Sequence, residues 1–186
     1  AGFLITLLFG KKISGLWVLN VIVISLVMLS SGTILFFKIA YFKDAIIQAD
    51  WNWIYLPQLL SFKEVRIDAS LKLDNLSVIM LAMVSIVSML VHFFSIGYMK
   101  GDPRFNRFFA YLGIFTFSMF GIVLTNSMFF MYVFWELVGL SSFLLIGFWY
   151  EKQSASDAAK KAFIVNRIGD MGMLAGILML FVSYGT

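Results

Sequence analysis

Five side chains stand out in this sequence as candidates to carry or steer protons, and four of them sit where charge is costly. Glu136 is the only charge in residues 128–149, MFFMYVFWELVGLSSFLLIGFW. About 20 apolar residues suffice for a helical membrane span, and a carboxylate near the middle of one costs on the order of 3 kcal/mol. A helix that only anchored the chain would carry leucine there. Two readings follow. As a permanently neutral acid, Glu136 donates a hydrogen bond between helices. As a group that is neutral when buried alone and ionised beside a cation, it relays protons. Gly139 lies on the same helical face, where a missing side chain lets another helix approach, and Ser141 and Ser142 follow. This pattern predicts that Glu136 faces protein and not lipid.

Arg167 and Asp170 lie at i, i+3 within the last apolar segment. That spacing predicts a salt bridge on one helix face, either a self-neutralising structural pair or a movable pair that biases Glu136. Lys160 and Lys161 stand at the start of the same segment, where long cationic side chains snorkel to the interface. Lys161 is also a candidate for the cytoplasmic mouth of a polar path. His92, the one histidine, lies in another apolar segment. It is either a satisfied hydrogen-bonding residue or a relay, since imidazole is the side chain that ordinarily titrates near neutrality. Lys72 and Asp74 read as rim residues at the other end of that segment.

The elements that must position these groups are membrane helices. The chain has 186 residues, 61% hydrophobic and only 13% charged, against about 25% charged in a soluble domain. Its mean hydropathy is +0.94. The net charge of +4 is loop charge that sets orientation, and no basic run of the kind that binds nucleic acid occurs. The absence of cysteine excludes disulfides, iron–sulfur clusters and thiolate metal sites, and one histidine builds no metal site. The expectation is a chain without a cofactor or metal of its own.

Hydropathy predicts an all-α polytopic membrane protein with six transmembrane helices, at residues 1–10, 15–37, 75–99, 108–125, 128–149 and 162–184. The first is truncated, and the chain reads as part of a longer one. All of residues 1–186 form a single transmembrane domain, with 39–74 as an extramembrane loop. Within that loop EVRIDASLKLD, residues 64–74, alternates apolar with polar residues, a strand pattern. WNWIY, residues 51–55, is its expected partner, with Pro57 in the turn region, so a β-hairpin-like outer loop lies between helices 2 and 3. The tryptophans suit the aromatic belt of a membrane edge. Lysines and arginines divide 8 to 5: Lys11, Lys12, Lys100, Arg104, Arg107, Lys152, Lys160 and Lys161 against Lys38, Lys43, Lys63, Arg66 and Lys72 of the hairpin loop. The first set is expected in the cytoplasm, with the hairpin outside.

These residues also carry a resemblance. WELVGLSSFLLIGFWY (135–150) followed by KAFIVNRIGD (161–170) resembles the large antiporter-like subunit, of the NuoL type, of proton-pumping NADH:quinone oxidoreductase, respiratory complex I. QADWNWI (48–54), LDNLSVIML (73–81), VHFFSIGYM (91–99) and RFFAYLGIF (107–115) follow the family's order and spacing from the hairpin loop onward. The resemblance implies the N-terminal part of a subunit that moves protons while quinone is reduced elsewhere in the complex. Flavin mononucleotide, iron–sulfur clusters and quinone then belong to other subunits. It implies that Glu136 is the proton-path carboxylate, and that Arg167 and Asp170 match a coupling pair. The Asp is linked to a neighbouring antiporter-like subunit, which is the expected partner along with other membrane subunits and the lipid bilayer. The match of His92 carries a less settled role. It further implies a lysine partner for Glu136 on a broken helix downstream, and a multi-pass place in a bacterial plasma membrane or an organellar inner membrane. Where the family often has cysteine, this chain has Ser141. Related chains occur in multisubunit sodium/proton antiporters, the alternative reading.

Overall fold

The computed structural model describes residues 2–9, 15–42, 45–56 and 65–184. Six α-helices and one hairpin follow the order α1 (Gly2–Phe9), α2 (Trp17–Ala40), β1 (Ile47–Leu56), β2 (Val65–Leu73), α3 (Asn75–Tyr98), α4 (Phe105–Leu124), α5 (Met128–Ile146) and α6 (Gln153–Tyr184). Helices α2 through α6 are long and apolar enough to cross a membrane. The eight residues of α1 are fewer than the ~20 a span needs.

Most large apolar side chains of α6 point away from the protein, among them Ile164, Ile168, Met171, Leu178, Met179 and Val182. In water such a surface would drive association; against lipid it is at home. The protein-facing interior is correspondingly rich in small and polar residues. Ser31 of α2 and Ser85 of α3 share a hydrogen bond of 2.5 Å, and Ser118 and Ser141 are buried. Small side chains let membrane helices pack closely without a hydrophobic driving force. The main apolar core lies among α2, α3 and α4, with Ile24, Val78, Leu81, Ala82, Phe109 and Leu112 buried.

The helix ends depart from the hydropathy reading for local reasons. α6 begins at Gln153, nine residues before the apolar stretch, because SASDAAKK is polar but contains good helix formers. Lys160 and Lys161 therefore stand two turns inside the helix and not at its start. α5 stops at Ile146, where Gly147 caps it and its N–H bonds the Phe143 carbonyl. α3 starts at Asn75 because the Asp74 carboxylate accepts the Ser77 N–H at 2.8 Å. Asp74 is thus a helix cap as well as a rim residue, and this interaction holds its carboxyl below the usual range.

The hairpin forms as expected: β2 falls within the alternating stretch, and β1 runs longer than the WNWIY partner. Its strands pair antiparallel from Ile47↔Leu73 to Leu56↔Val65, with a register shift between Asn52 and Ile54. Trp53, the residue at the bulge, packs on Phe129 and Phe130 at the start of α5. Pro57, Lys11, Lys12, Lys43 and Lys63 lie outside the described residues. Asn126 N–H donates to the Ser70 carbonyl at 3.0 Å, which stitches the α4–α5 turn to β2. At the opposite end the Trp17 N–H meets Asn106 Oδ1 at 3.3 Å, so α2 and α4 start side by side. The hairpin thus marks one face of the protein, and the α3–α4 and α5–α6 turns mark the other. Lys100, Arg104, Arg107 and Lys152 belong to the second face, as the charge division expected.

Candidate functional site

Glu136 sits near the midpoint of α5, and α6 packs against that helix. Arg167 is likewise near the middle of α6. Across this contact Arg167 Nη1 donates to Glu136 Oε2 at 2.5 Å. The Glu136 side chain retains 20% of its exposure and Arg167 43%. The guanidinium lies over the Phe163 ring, 5.1 Å from its centroid, so an aromatic face covers one side of the cation. Tyr132, one turn before Glu136, faces the same carboxylate. Glu136 Oε1 is buried without a hydrogen-bond partner among the described residues.

The expected Arg167–Asp170 salt bridge is not formed. Arg167 reaches across to α5 instead, and Asp170, buried to 5% exposure, accepts the Trp135 indole N–H at 3.0 Å. The physical reason is that a helix neighbour at i+3 and a carboxylate on the facing helix compete for one guanidinium. Trp135 can serve Asp170, which leaves Arg167 to Glu136. A carboxylate as buried as Asp170 needs a donor, and the Trp135 indole N–H supplies one. Glu136 therefore has a direct cation within these residues, Arg167, where the resemblance placed its cationic partner, a lysine, downstream. Trp135, Tyr132 and Phe163 were not singled out from the sequence. The signal for Trp135 was its place beside Glu136 in the quoted motif.

Gly139 does not mark the helix contact. A Cβ there would meet nothing within 4 Å, whereas one at Gly121 would strike the Phe134 ring at 2.2 Å and one at Gly147 the Ala159 side chain at 3.1 Å. The close approaches of α5 are through Gly121 of α4 and through its own end at Gly147.

His92 and Lys161 lie apart from this cluster. His92 is buried among α2, α3 and α4. Its Nδ1 lies 2.7 Å from the Ser88 carbonyl, which can only accept, so Nδ1 carries the proton in the neutral ring. Phe109 packs against the imidazole. The ring also lines a cavity of about 390 Å³ shared with Asn20 and Thr116, and Asn20 in turn donates to Thr6 at 2.8 Å. Lys161 is exposed, and no ion pair holds it among the described residues. Its neighbour Lys160 pairs with Asp157 at 3.6 Å.

Two family models match the chain. Residues 59–109 fit NADH-ubiquinone oxidoreductase (complex I), chain 5 N-terminus, and residues 125–186 fit NADH:quinone oxidoreductase/Mrp antiporter, TM. The second match contains Glu136, Arg167 and Asp170. The chloroplastic NAD(P)H-quinone oxidoreductase subunit 5 of Anthoceros angustus is 42% identical over 85% of this chain and 21% of its own length. NAD(P)H-quinone oxidoreductase chain 5 of Synechocystis is 38% identical over 95% and 24%. NADH-quinone oxidoreductase subunit L of Mycobacterium tuberculosis is 44% identical over 77% and 22%. The chain thus spans about a quarter, or less, of the length of these relatives. A chain of the membrane-bound sulfane sulfur reductase, an archaeal respiratory membrane complex, shares the fold over the whole chain and 35% of its own, with a TM-score of 0.75 at 18% identity. The apolar helices, the order of motifs and both family matches agree: the chain belongs to the antiporter-like membrane-subunit family of NADH:quinone oxidoreductase, of the chain 5 or L type.

Proposed function

We propose that this chain is part of a proton-translocating membrane subunit of NADH:quinone oxidoreductase, and that Glu136 is a proton carrier whose charge Arg167 controls. The observation that carries the reading is the contact between them, set between two spanning helices with a second carboxylate, Asp170, on the Arg167 face. A carboxylate in a low-dielectric interior holds its charge beside a cation and takes up a proton without one. Arg167 has two carboxylates in range, one across the helix contact and one on its own helix at i+3. With Arg167 on Glu136, Asp170 is held by Trp135 and Glu136 is ionised. With Arg167 swung to Asp170, Glu136 is left buried and binds a proton. Movement of one guanidinium thus loads and unloads Glu136. The energy for that swing enters from outside these residues, as quinone reduction in other subunits, where flavin and iron–sulfur chemistry also belong. A neighbouring antiporter-like subunit is the partner through which Asp170 would sense it. A lysine downstream of Thr186 would be the next proton acceptor. The lysine-rich face carrying Lys161 would be cytoplasmic, in a bacterial plasma membrane or its organellar counterpart.

His92 fits a supporting place in this scheme. With Nδ1 committed to Ser88, the other ring nitrogen is the one free to exchange a proton.

The test is Glu136→Gln in the intact complex reconstituted in liposomes. The substitution keeps shape and removes the ionisable proton. NADH-driven acidification is expected to fall at least severalfold in a fully assembled complex. Native pumping by the assembled variant would overturn the reading, and loss of assembly alone would assign Glu136 a structural role.

A further inference from the structure

A second cavity, of about 240 Å³, opens between the start of α4, the end of α5 and the start of α6. It lies on the lysine-rich face and holds none of the residues of the Glu136 site. Arg107 and Lys160 supply two cations at its rim, and Tyr111, Tyr150 and Ser156 supply hydroxyls. Phe143 and Leu144 of α5 line its deeper part. Gly147 lets α6 come close at the cavity's edge, since an added Cβ would lie 3.1 Å from the Ala159 side chain.

The charge at this rim is unbalanced. Neighbouring Arg104 is saturated, with its two terminal nitrogens on Glu151 at 2.7 and 3.1 Å. Arg107 has no ion pair among the described residues. Lys160 has one loose, exposed contact with Asp157 at 3.6 Å. The aromatic wall is closely packed: Phe148 is buried, edge-on to Phe108 and Tyr111, with Arg104 over its ring. Three helix ends meet at this face, so the cations and hydroxyls of the cavity lie toward the helix ends and its apolar floor lies further along the spanning helix α5.

We propose that this cavity binds the phosphate of an anionic phospholipid, with an acyl chain running along Phe143 and Leu144. Arginine pairs phosphate oxygens through two parallel N–H bonds, and basic pockets between spanning helices on this face suit acidic headgroups. The inference needs only that the chain is in a membrane and stands apart from the proton-carrier reading. The lipid is bound, and no bond to it is made or broken.

The intact complex, in nanodiscs that mix phosphatidylglycerol with phosphatidylcholine, tests it by the lipid retained in native mass spectrometry and by photocrosslinking. Phosphatidylglycerol is expected to be enriched over phosphatidylcholine and to crosslink to the peptide carrying Phe143 and Leu144. Each charge removed, by Arg107→Gln or Lys160→Gln, is expected to weaken retention by roughly fivefold. Arg107→Lys with Lys160→Arg should restore most of it. Equal retention of the two lipids, unchanged selectivity in the doubly neutralised variant, or release of the lipid by inorganic phosphate would each overturn the proposal. The last would make the site one for free anions. Should the neutralised complex not assemble, the crosslink in the native complex decides, and its absence overturns the assignment.

Discussion

At the scale of residues, the arrangement of interest is one guanidinium between two carboxylates. Asp170 can be the alternative seat of Arg167 only because Trp135 supports its charge meanwhile. A hydrogen bond to a charged group contributes about 1.5–3 kcal/mol. Trp135→Phe keeps the aromatic packing and removes the N–H. It is expected to draw Arg167 toward Asp170, lower proton pumping per NADH oxidised, and leave electron transfer running. Asp170→Asn should act in the opposite direction on the pair, trapping Arg167 on Glu136, with the same loss of coupling. The ratio of protons moved to NADH oxidised in liposomes checks both, and a native ratio in either would favour a static structural pair. The sequence made Glu136, Arg167 and Asp170 legible, because each is a charge in an apolar run. It did not make their pairing legible. Helical spacing names the neighbours on one helix, but which carboxylate wins the cation depends on the facing helix and on a third donor.

At the scale of elements, the site depends on how α5 is held. α4 and α5 meet through Gly121, where the Phe134 ring occupies the space a side chain would fill. Gly121→Val is expected to push α5 from α4 and destabilise the packing by about 1–3 kcal/mol, the usual cost of overfilling a packed site. Thermal denaturation of the purified complex measures this. A variant with native stability would show that this contact does not seat α5. The five spanning helices and the hairpin were legible from hydropathy and period-two alternation. Two features were not. Polar SASDAAKK hides the first turns of α6, since hydropathy sees only the buried or lipid-facing part of a helix. Gly139 looked like a packing glycine because the sequence does not say which glycine meets another helix.

At the scale of the whole molecule, the hairpin closes one face and a polar clip ties the turns of the other. Asp102 accepts the Trp149 indole N–H at 3.0 Å and the Arg104 N–H at 2.7 Å, while Arg104 grips Glu151. The Arg104 hydrogen bond holds the Glu151 carboxyl below its ordinary 4.5. Partial burial works against ionised Asp102, but its bonds from Trp149 and Arg104 outweigh this and hold it below 3.8. Groups lowered on folding stabilise above their ordinary values and lose that contribution as the pH falls through the lowered ones. The clip is therefore intact at neutral pH and loosens only in acid. Protease cleavage after Lys100 and Lys152 should stay flat down to about pH 5 and rise below it, and Glu151→Gln should raise cleavage at neutral pH. A rise near pH 7 would point to some other group. The clip keeps the α4, α5 and α6 ends together, and so fixes the frame in which Arg167 chooses between carboxylates. That choice is most directly read by redox-induced infrared difference spectroscopy of the intact complex. Turnover is expected to produce a protonated carboxylic acid C=O band that is absent in Glu136→Gln and altered in Asp170→Asn. A spectrum without that band, or one unchanged by Glu136→Gln, would contradict a proton carried on Glu136.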